Sequence, residues 1–200
     1  MKVRRLSPNE LCHHGIKGQK WGVRRYQNPD GSLTSAGKER YRGVTVTKGS
    51  PDASNDIYKT LSKHEKQLVM AELPDEEPPR KFIKKKEAKY LLDQVLVKYG
   101  DTPVAALDLW NQGHGEASIS IMTRSGEEYR NKGFADKAVK AGLEAFEKNK
   151  DLKVLSWGAW DENTPSKRLA EKNGFKYKDW HDPGGHKYVV YEKRKKEDHK

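Results

Sequence analysis

A short basic segment, RNKGFA at residues 130–135, combines residue types that can bind a phosphate group. It opens an apolar-periodic stretch that predicts a helix. The first backbone N–H groups of a helix lack partners within it and carry the positive end of its dipole. Gly133 would let a phosphate approach the backbone, Ala135 adds little bulk, and Arg130 and Lys132 add positive charge. The alternative at this point is an ordinary solvated helix start.

Predicted strands and helices flank this segment and would place it at one end of a sheet. Residues 115–123 alternate between apolar and polar side chains, which predicts a strand directly before a helix at 131–148. A second strand at 153–160 leads to NTPSKRLAEKNGF, which combines a helix start signal with a terminating Gly174.

Other segments extend this pattern. Residues 54–73 have apolar side chains at roughly helical spacing, with Ser62 able to cap a second helical piece. VLVKYG and TPVAALDLWN predict two strands joined by a turn at Gly100 and Asp101, and residues 187–194 predict a last strand. The order of these elements predicts an α/β fold class, with a mixed sheet and helices on its faces.

Composition divides the 200-residue chain into a folded part and a solvated part. Only 34% of the residues are hydrophobic, which is low for a chain that is globular throughout. Residues 1–50 predict a basic, glycine-rich and loop-rich amino-terminal extension. Residues 51–194 predict one α/β domain, and residues 195–200 a charged tail.

Charge is concentrated at the ends of the chain. Of a formal net charge of +11, residues 1–50 contribute eleven Lys and Arg against three Asp and Glu, whereas residues 51–186 are neutral. The neutral middle argues against a nucleic-acid-binding domain. No apolar run approaches the roughly 18 residues that span a bilayer, and no signal-peptide pattern follows the basic start. With Cys12 as the single cysteine, we expect a cytoplasmic protein without membrane association.

RNKGFA resembles the Arg/Gln-x-x-Gly-x-Gly/Ala motif of the GNAT acetyltransferase superfamily, and it follows a strand and opens a long helix as in that family. ENTPSKRLAEKNGFKY at 162–177 resembles the second signature of the family. TPVAALDLW followed by GEASISIMT resembles the antiparallel strands that precede the first motif. The resemblance covers residues 55–193 and implies a GNAT-like acyl-CoA N-acyltransferase fold, with acetyl-CoA as the acetyl donor.

The resemblance also implies where the cofactor lies. Its pyrophosphate would contact the helix N-terminus, and its pantetheine arm would pair with the preceding strand, in a gap where strands 115–123 and 153–160 splay apart. Asn163 would bond a pantetheine amide, although Asn163 and Ser166 can instead cap a helix. The implied cofactor-binding residues are Ile121, Met122, Thr123, Arg130, Lys132, Gly133, Phe134, Ala135, Asn163 and Ser166.

The implied reaction is direct attack of an amine on the thioester of acetyl-CoA. A lysine-like amine has a pKa of about 10.4, so a base must first remove a proton. The resemblance assigns this catalytic role to Glu116, with His114 and Asp108 as rivals. An exposed charge at a strand end is the structural alternative for Glu116.

The leaving thiolate raises a second question, because the family often has a tyrosine at the position of Ala170 to protonate it. Tyr177 is the residue we assign to this catalytic role, with Tyr129 or water as alternatives. Three functions stay open at this point. One is an N-acetyltransferase acting on a small-molecule or protein amine, and another is a phage structural or interaction protein with a catalytically weak or inactive GNAT domain. The third is a nucleic-acid-associated protein that uses its basic ends, and the neutral middle of the chain counts against it.

The amino-terminal segment HHGIKGQKWGVRRYQNPDGSLTSAGKERY resembles a short segment of tailed-phage and prophage structural proteins. The resemblance implies a phage- or prophage-encoded protein that contacts a phage-particle protein through residues 11–43, so virion association is an alternative location. Cys12, His13 and His14 are adjacent, point to alternate sides and lack a second pair at zinc spacing. The sequence therefore predicts no metal site.

Overall fold

A computed structural model describes residues 26, 28, 32, 34–40, 43–71, 73 and 76–195 of the chain. The chain divides into two units, Met1–Arg42 and Gly43–Lys200. In the first unit, helix α1 spans Ser35–Arg40, and the Thr34 hydroxyl accepts a 3.1 Å hydrogen bond from the Gly37 backbone N–H. Thr34 therefore caps the start of α1.

The second unit is built on a seven-stranded mixed sheet. Its strands are β1 Val44–Lys48, β2 Leu91–Tyr99, β3 Thr102–Gly113, β4 Glu116–Thr123, β5 Val154–Trp160, β6 Lys176–His181 and β7 Tyr188–Arg194. The spatial order is β1-β2-β3-β4-β5-β7-β6. All neighbouring strands are antiparallel except β4 and β5, which are parallel. A parallel pair needs a long crossover, and a helix supplies it here.

Helices lie on both faces of this sheet. They are α2 Pro51–Lys59, α3 Lys63–Met70, α4 Phe134–Lys148 and α5 Thr164–Lys172. Side chains cap three of them: Ser50 begins α2, Ser62 begins α3 and Asn163 begins α5. Among the described residues, no helix combines the length and the apolar character that crossing a bilayer requires.

Each face of the sheet has its own hydrophobic cluster. The α2 face contains Ile57, Tyr58, Leu61, Phe82, Ile83, Leu96, Ala106 and Met122, with Val69 and Met70 of α3 packed against them. The α4 face contains Phe134, Ala138, Val139 and Phe146 of α4 together with residues of β2, β3, β4, β5 and α5. α4 packs closely on β3 at Gly142. A Cβ added to Gly142 would lie only 2.6 Å from a Leu107 methyl carbon, so no larger residue fits there without a shift.

The structure confirms the α/β class and most predicted elements, and it adds two strands. The predicted helical region 54–73 divides at Ser62, as expected from its capping signal. β1 lies inside the predicted extension yet pairs with β2, so the second unit begins at Gly43 and the predicted boundary at residue 50 is too late. β6 lacks a buried face, which explains why no alternation predicted it. The predicted tail beyond Lys195 lies outside the described residues.

Candidate active site

The two parallel strands separate after a short paired segment. β4 and β5 pair only from Glu116 with Val154 to Ser118 with Ser156. Beyond this point β4 remains paired with β3, and β5 remains paired with β7 up to Trp160. The gap, here called the β4–β5 wedge, is closed at Ser118 and Ser156 and opens toward the carboxyl ends of both strands. The predicted splaying of these strands is thereby confirmed.

Ile121, Met122 and Thr123 form the β4 edge of the wedge. Ile121 packs against the cluster on the α4 face, and Met122 is 2% exposed in the cluster on the α2 face. Backbone groups of this segment that point away from β3 have no partner strand on the β5 side. An extended ligand can therefore pair with the backbone of these residues, while the side chains serve packing.

Two helix N-termini lie beyond the open end of the wedge, because β4 and β5 are parallel and each leads into a helix. Residues 124–133 connect β4 to α4, and residues 161–163 connect β5 to α5. The N-terminus of a helix carries unpaired N–H groups and a partial positive charge. This end of the wedge is therefore suited to a ligand that is anionic or accepts hydrogen bonds.

α4 begins without a side-chain cap. Its N-cap Gly133 has a φ of +82°, a left-handed conformation that favours glycine, and Lys132 before it is exposed. The Phe134 side chain is buried and packs against Tyr99, with ring centroids 5.9 Å apart. Phe134 and Ala135 can consequently contact a ligand at this turn through their backbone N–H groups.

Arg130 is linked to α3 through Glu65. The Arg130 Nη2 atom lies 3.4 Å from Glu65 Oε1, and the Arg130 side chain is exposed. Glu65 Oε2 accepts hydrogen bonds from the Ser125 hydroxyl (3.0 Å) and the Ser62 backbone N–H (2.8 Å). Burial acts to raise the pKa of Glu65, but the bonds from Ser62 and Ser125 and the charge of Arg130 outweigh it and lower that pKa. Glu65 is thus an ionised anchor for the loop that carries Arg130.

Asn163 and Ser166 both have partners inside the protein. Asn163 Oδ1 accepts a 3.2 Å bond from the Ser166 backbone N–H, and the Ser166 hydroxyl accepts a 2.9 Å bond from the Trp157 indole. The capping role of Asn163 is therefore observed, while its Nδ2 makes no hydrogen bond to the described residues and stays available to a ligand. Ala170 on α5 is fully buried and brings no proton donor to the site.

Glu116 lies in the paired segment of β4, two residues before the closed end of the wedge. It begins β4, and its side chain is exposed. Because side chains alternate along a strand, Glu116, Ser118 and Ser120 share the α2 face with the buried Met122. His114, a rival base, lies in the turn before β4 with a φ of +50°. Glu116 is therefore the candidate base beside the closed end of the wedge.

Asp108 on β3 is sealed beneath α2. Its Oδ1 accepts hydrogen bonds from the Ser54 hydroxyl (2.9 Å) and the Gln94 amide (2.5 Å). Its Oδ2 is the one buried side-chain oxygen without a hydrogen-bond partner among the described residues. Burial raises the pKa of Asp108 to about 6, although the two hydrogen bonds act to lower it. A carboxyl with no exposed surface is poorly placed to deprotonate an incoming amine.

Tyr177 lies on the edge strand β6, with β7 between it and β5. It pairs with Tyr191, whose side chain belongs to the cluster on the α4 face, so Tyr177 lies on the opposite face of the sheet from Glu116. This position does not favour the proton transfer to the thiolate that the sequence suggested for Tyr177. Tyr129 is half-buried in the loop before α4, with its ring 5.8 Å from the Arg124 guanidinium.

A tyrosine that no sequence motif indicated lies against the β5 wall of the wedge. Tyr188 pairs with Trp160, and their rings make a T-shaped contact with centroids 5.1 Å apart. A Cβ built on Gly158 would lie only 2.1 Å from the Tyr188 hydroxyl oxygen. The available signal was Gly158 itself, because a glycine inside a strand often marks the close approach of another group.

The adjacent Cys12, His13 and His14 lie outside the described residues, as do most of residues 11–34. Within the part of the chain that the structure describes, no group of three or more His, Cys, Asp or Glu side chains could hold a metal ion. Because most of residues 11–34 lie outside the described residues, the predicted contact of residues 11–43 with a phage-particle protein stays a prediction.

A mixed α/β sheet whose two parallel strands splay apart at a helix N-terminus is the acyl-CoA N-acyltransferase type of fold. The family model described as "Acetyltransferase (GNAT) domain" matches residues 51–176. This match covers more than half of the chain, and the chain belongs to the GNAT acetyltransferase family. Residues 6–28 match a family of unknown function, DUF7211. No curated protein matches the chain.

Solved structures share this fold at low sequence identity. The structure of yncA from Salmonella typhimurium with its cofactor acetyl-CoA is 12% identical, with a TM-score of 0.60 over 79% of this chain and 97% of that one. A GNAT-family acetyltransferase from Bacillus anthracis is 20% identical, with a TM-score of 0.57 over 76% and 95%. The Salmonella typhimurium acetyl transferase that modifies the N-terminal serine of ribosomal protein L7/L12 is 11% identical, with a TM-score of 0.56 over 77% and 96%.

Proposed function

We propose that this chain transfers the acetyl group of acetyl-CoA to a primary amine. The β4–β5 wedge is the observation that carries the proposal, because it joins a strand edge without a partner to a helix N-terminus without a side-chain cap. Acetyl-CoA has complementary chemistry, with amide groups along its arm and a pyrophosphate beyond them. The fold shared with yncA, whose structure contains acetyl-CoA, supports the same assignment.

The pyrophosphate would be held at the start of α4. Backbone N–H groups of Gly133, Phe134 and Ala135 would donate to its oxygens, since this helix has no side-chain cap competing for them. Arg130 and Lys132 would add positive charge at the same turn. The 3.4 Å contact between Arg130 and Glu65 is no obstacle, because an exposed ion pair contributes at most about 1 kcal/mol.

The pantetheine arm would lie in the wedge. On one side it would pair with the backbone of Ile121, Met122 and Thr123, as an added strand pairs with a sheet edge. On the other side Asn163 Nδ2 would donate to an amide oxygen of the arm. The Ser166 hydroxyl accepts its bond from Trp157 and keeps its own O–H for a further contact.

The amine would approach from the α2 face of the sheet, where Glu116 can accept its proton directly or through water. This face of β4 is polar near the narrow end: Ser118 accepts a bond from Gln112, and Ser120 accepts one from the Trp110 indole. Comparison of the pH dependence of acetyl transfer by the parent and by Glu116→Gln tests the assignment. A parent-like profile in Glu116→Gln would exclude Glu116 as the base.

Calorimetric titration with acetyl-CoA is the experiment that tests the site. Gly133→Glu places bulk and negative charge where the pyrophosphate would lie, so we expect the parent to bind and the variant to lose binding at least tenfold, which corresponds to about 1.4 kcal/mol. Gly100→Glu is the matched control, because Gly100 also has a positive φ of 59° and open space around it, in the turn between β2 and β3.

Equal loss of binding in both variants would trace the effect to backbone strain rather than to the site. A folded parent that does not bind acetyl-CoA would overturn the proposed function. For the acceptor, a peptide with an N-terminal serine and a lysine-containing peptide blocked at its N-terminus are the first probes. The first is chosen because a relative of the same fold modifies an N-terminal serine.

We also propose that the amino-terminal unit binds a partner, namely a protein of a phage particle. Support comes from the basic and glycine-rich composition of residues 11–43 and from a family model at residues 6–28 that is separate from the acetyltransferase model. On this proposal the enzyme is made in the cytoplasm and can become virion-associated. Co-sedimentation of purified particles with the full chain, but not with residues 43–200, is the expected result. Equal sedimentation of both would contradict it.

A further inference from the structure

The Tyr188 phenol lies across β5 in the part of that strand that borders the wedge. Gly158 is two residues beyond Ser156, the last β5 residue that pairs with β4. The Tyr188 hydroxyl would be 2.1 Å from a Cβ at Gly158, so any larger residue there would displace the phenol. Glycine at this position therefore makes room for a hydroxyl group beside the narrow end of the wedge.

The phenol lies on the face of the sheet from which the amine is proposed to approach. Leu155, Trp157 and Ala159 belong to the cluster on the α4 face, so Gly158 and Trp160 point to the α2 face. Tyr188 contacts Trp160 on that same face. The hydroxyl and Glu116 consequently share one face of the sheet. Glu116 lies on β4 two residues before the closed end of the wedge, and the hydroxyl lies over β5 two residues beyond it.

The hydroxyl is free to bind a ligand. It makes no hydrogen bond to any residue that the structure describes. Unlike Asp108 Oδ2, it is not a fully buried polar atom without a hydrogen-bond partner. Burial raises the pKa of Tyr188 above its usual value. At neutral pH the group is therefore a protonated phenol, which donates a hydrogen bond rather than accepting a proton.

We propose that the Tyr188 hydroxyl donates a hydrogen bond to the sulfur atom that leaves during acetyl transfer. The inference rests on the proposed function. The amine nitrogen forms a bond to the thioester carbon, the carbon–sulfur bond breaks, and its electron pair remains on sulfur. Tyr188 stabilises that thiolate and keeps its own proton. The proton lost by the amine passes through Glu116 or water and ends on sulfur, so the products are the acetamide and CoA thiol.

The thiol of bound CoA reports this contact without any acceptor. The ultraviolet absorbance of the thiolate is followed against pH for CoA bound to the parent, to Tyr188→Phe and to Tyr90→Phe, with each protein alone as reference. A hydrogen bond to the charged sulfur lowers the thiol pKa, so we expect it to be about one unit lower in the parent than in Tyr188→Phe. Tyr188→Phe keeps the ring that packs on Trp160, and Tyr90 is an exposed tyrosine outside the wedge.

The outcomes separate the two proposals. A parent that fails to bind CoA overturns both the proposed function and this inference. Binding with the same thiol pKa in the parent and in Tyr188→Phe overturns the inference alone. A thiol pKa in the parent equal to that of free CoA also overturns it, and that result needs no variant. A parent-like value in Tyr90→Phe, together with the shift in Tyr188→Phe, supports it.

Discussion

At the scale of single residues, Asp108 opposes folding near neutral pH. It is fully buried, only one of its oxygens is hydrogen-bonded, and burial raises its pKa to about 6 from an ordinary value of 3.8. Between those two values the unfolded chain has released the proton while the folded protein still holds it. The contribution of Asp108 to the unfolding free energy is therefore greatest below about pH 4 and is lost as the pH rises through 6.

Asp108→Asn should remove this pH dependence, because asparagine does not titrate. We expect the difference in unfolding free energy, parent minus variant, to fall by about 2 to 3 kcal/mol between pH 4 and pH 7. Urea unfolding of both proteins across that range measures the difference. Parallel pH profiles would show that Asp108 titrates in the folded protein much as it does in the unfolded chain.

At the scale of elements, α3 serves both as a packed helix and as a support for the loop before α4. Glu65 completes the capping box with Ser62 and also accepts the Ser125 hydroxyl and pairs with Arg130. The Ser125 backbone N–H donates to Thr60 Oγ1 at 3.2 Å, between α2 and α3. The position of the loop thus depends on residues more than 50 positions earlier in the chain.

Glu65→Ala should weaken acetyl-CoA binding as well as stability. Loss of the capping contact costs about 1 kcal/mol, and loss of the Ser125 and Arg130 contacts leaves the loop less ordered before it meets the cofactor. Ser50→Ala is the control, since Ser50 caps α2 and does not contact the loop. We expect both variants to lose stability in urea unfolding, while only Glu65→Ala loses about threefold in calorimetric affinity. Equal affinities in the two variants would contradict the supporting role of Glu65.

At the scale of the whole molecule, the acetyltransferase unit includes a strand that the sequence assigned to the extension. β1 pairs along its length with β2, and Val44 packs against the cluster on the α4 face. The unit therefore begins at Gly43, although the family model matches only from residue 51. Removal of β1 would leave the backbone edge of β2 without a partner.

Two truncations test this boundary. Residues 43–200 should unfold at the same urea concentration as the acetyltransferase transition of the full chain and should bind acetyl-CoA with the same affinity. Residues 51–200 should unfold at a lower urea concentration, because β1 and its packing are gone. Identical midpoints for the two truncations would mean that β1 adds nothing to the stability of the unit.

Local sequence patterns predicted several of the secondary-structure elements of this protein. Alternation predicted β4, capping signals predicted the starts of α3 and α5, and RNKGFA predicted the helix start that now defines the open end of the wedge. These predictions succeeded because each depends on residues close together in the chain. The family resemblance added the splayed strands, which the structure confirms.

Side chains far apart in the chain meet through strand order, register and burial, which local patterns do not reveal. Strand order placed Tyr177 beyond β7, and pairing with Trp160 brought Tyr188 over Gly158. Asp108, a rival of Glu116 for the role of base in the sequence, is fully buried, whereas Glu116 is exposed. Sequence fixes residue types and local periodicity, but the face and neighbours of a side chain depend on strand register and order, which long-range packing sets.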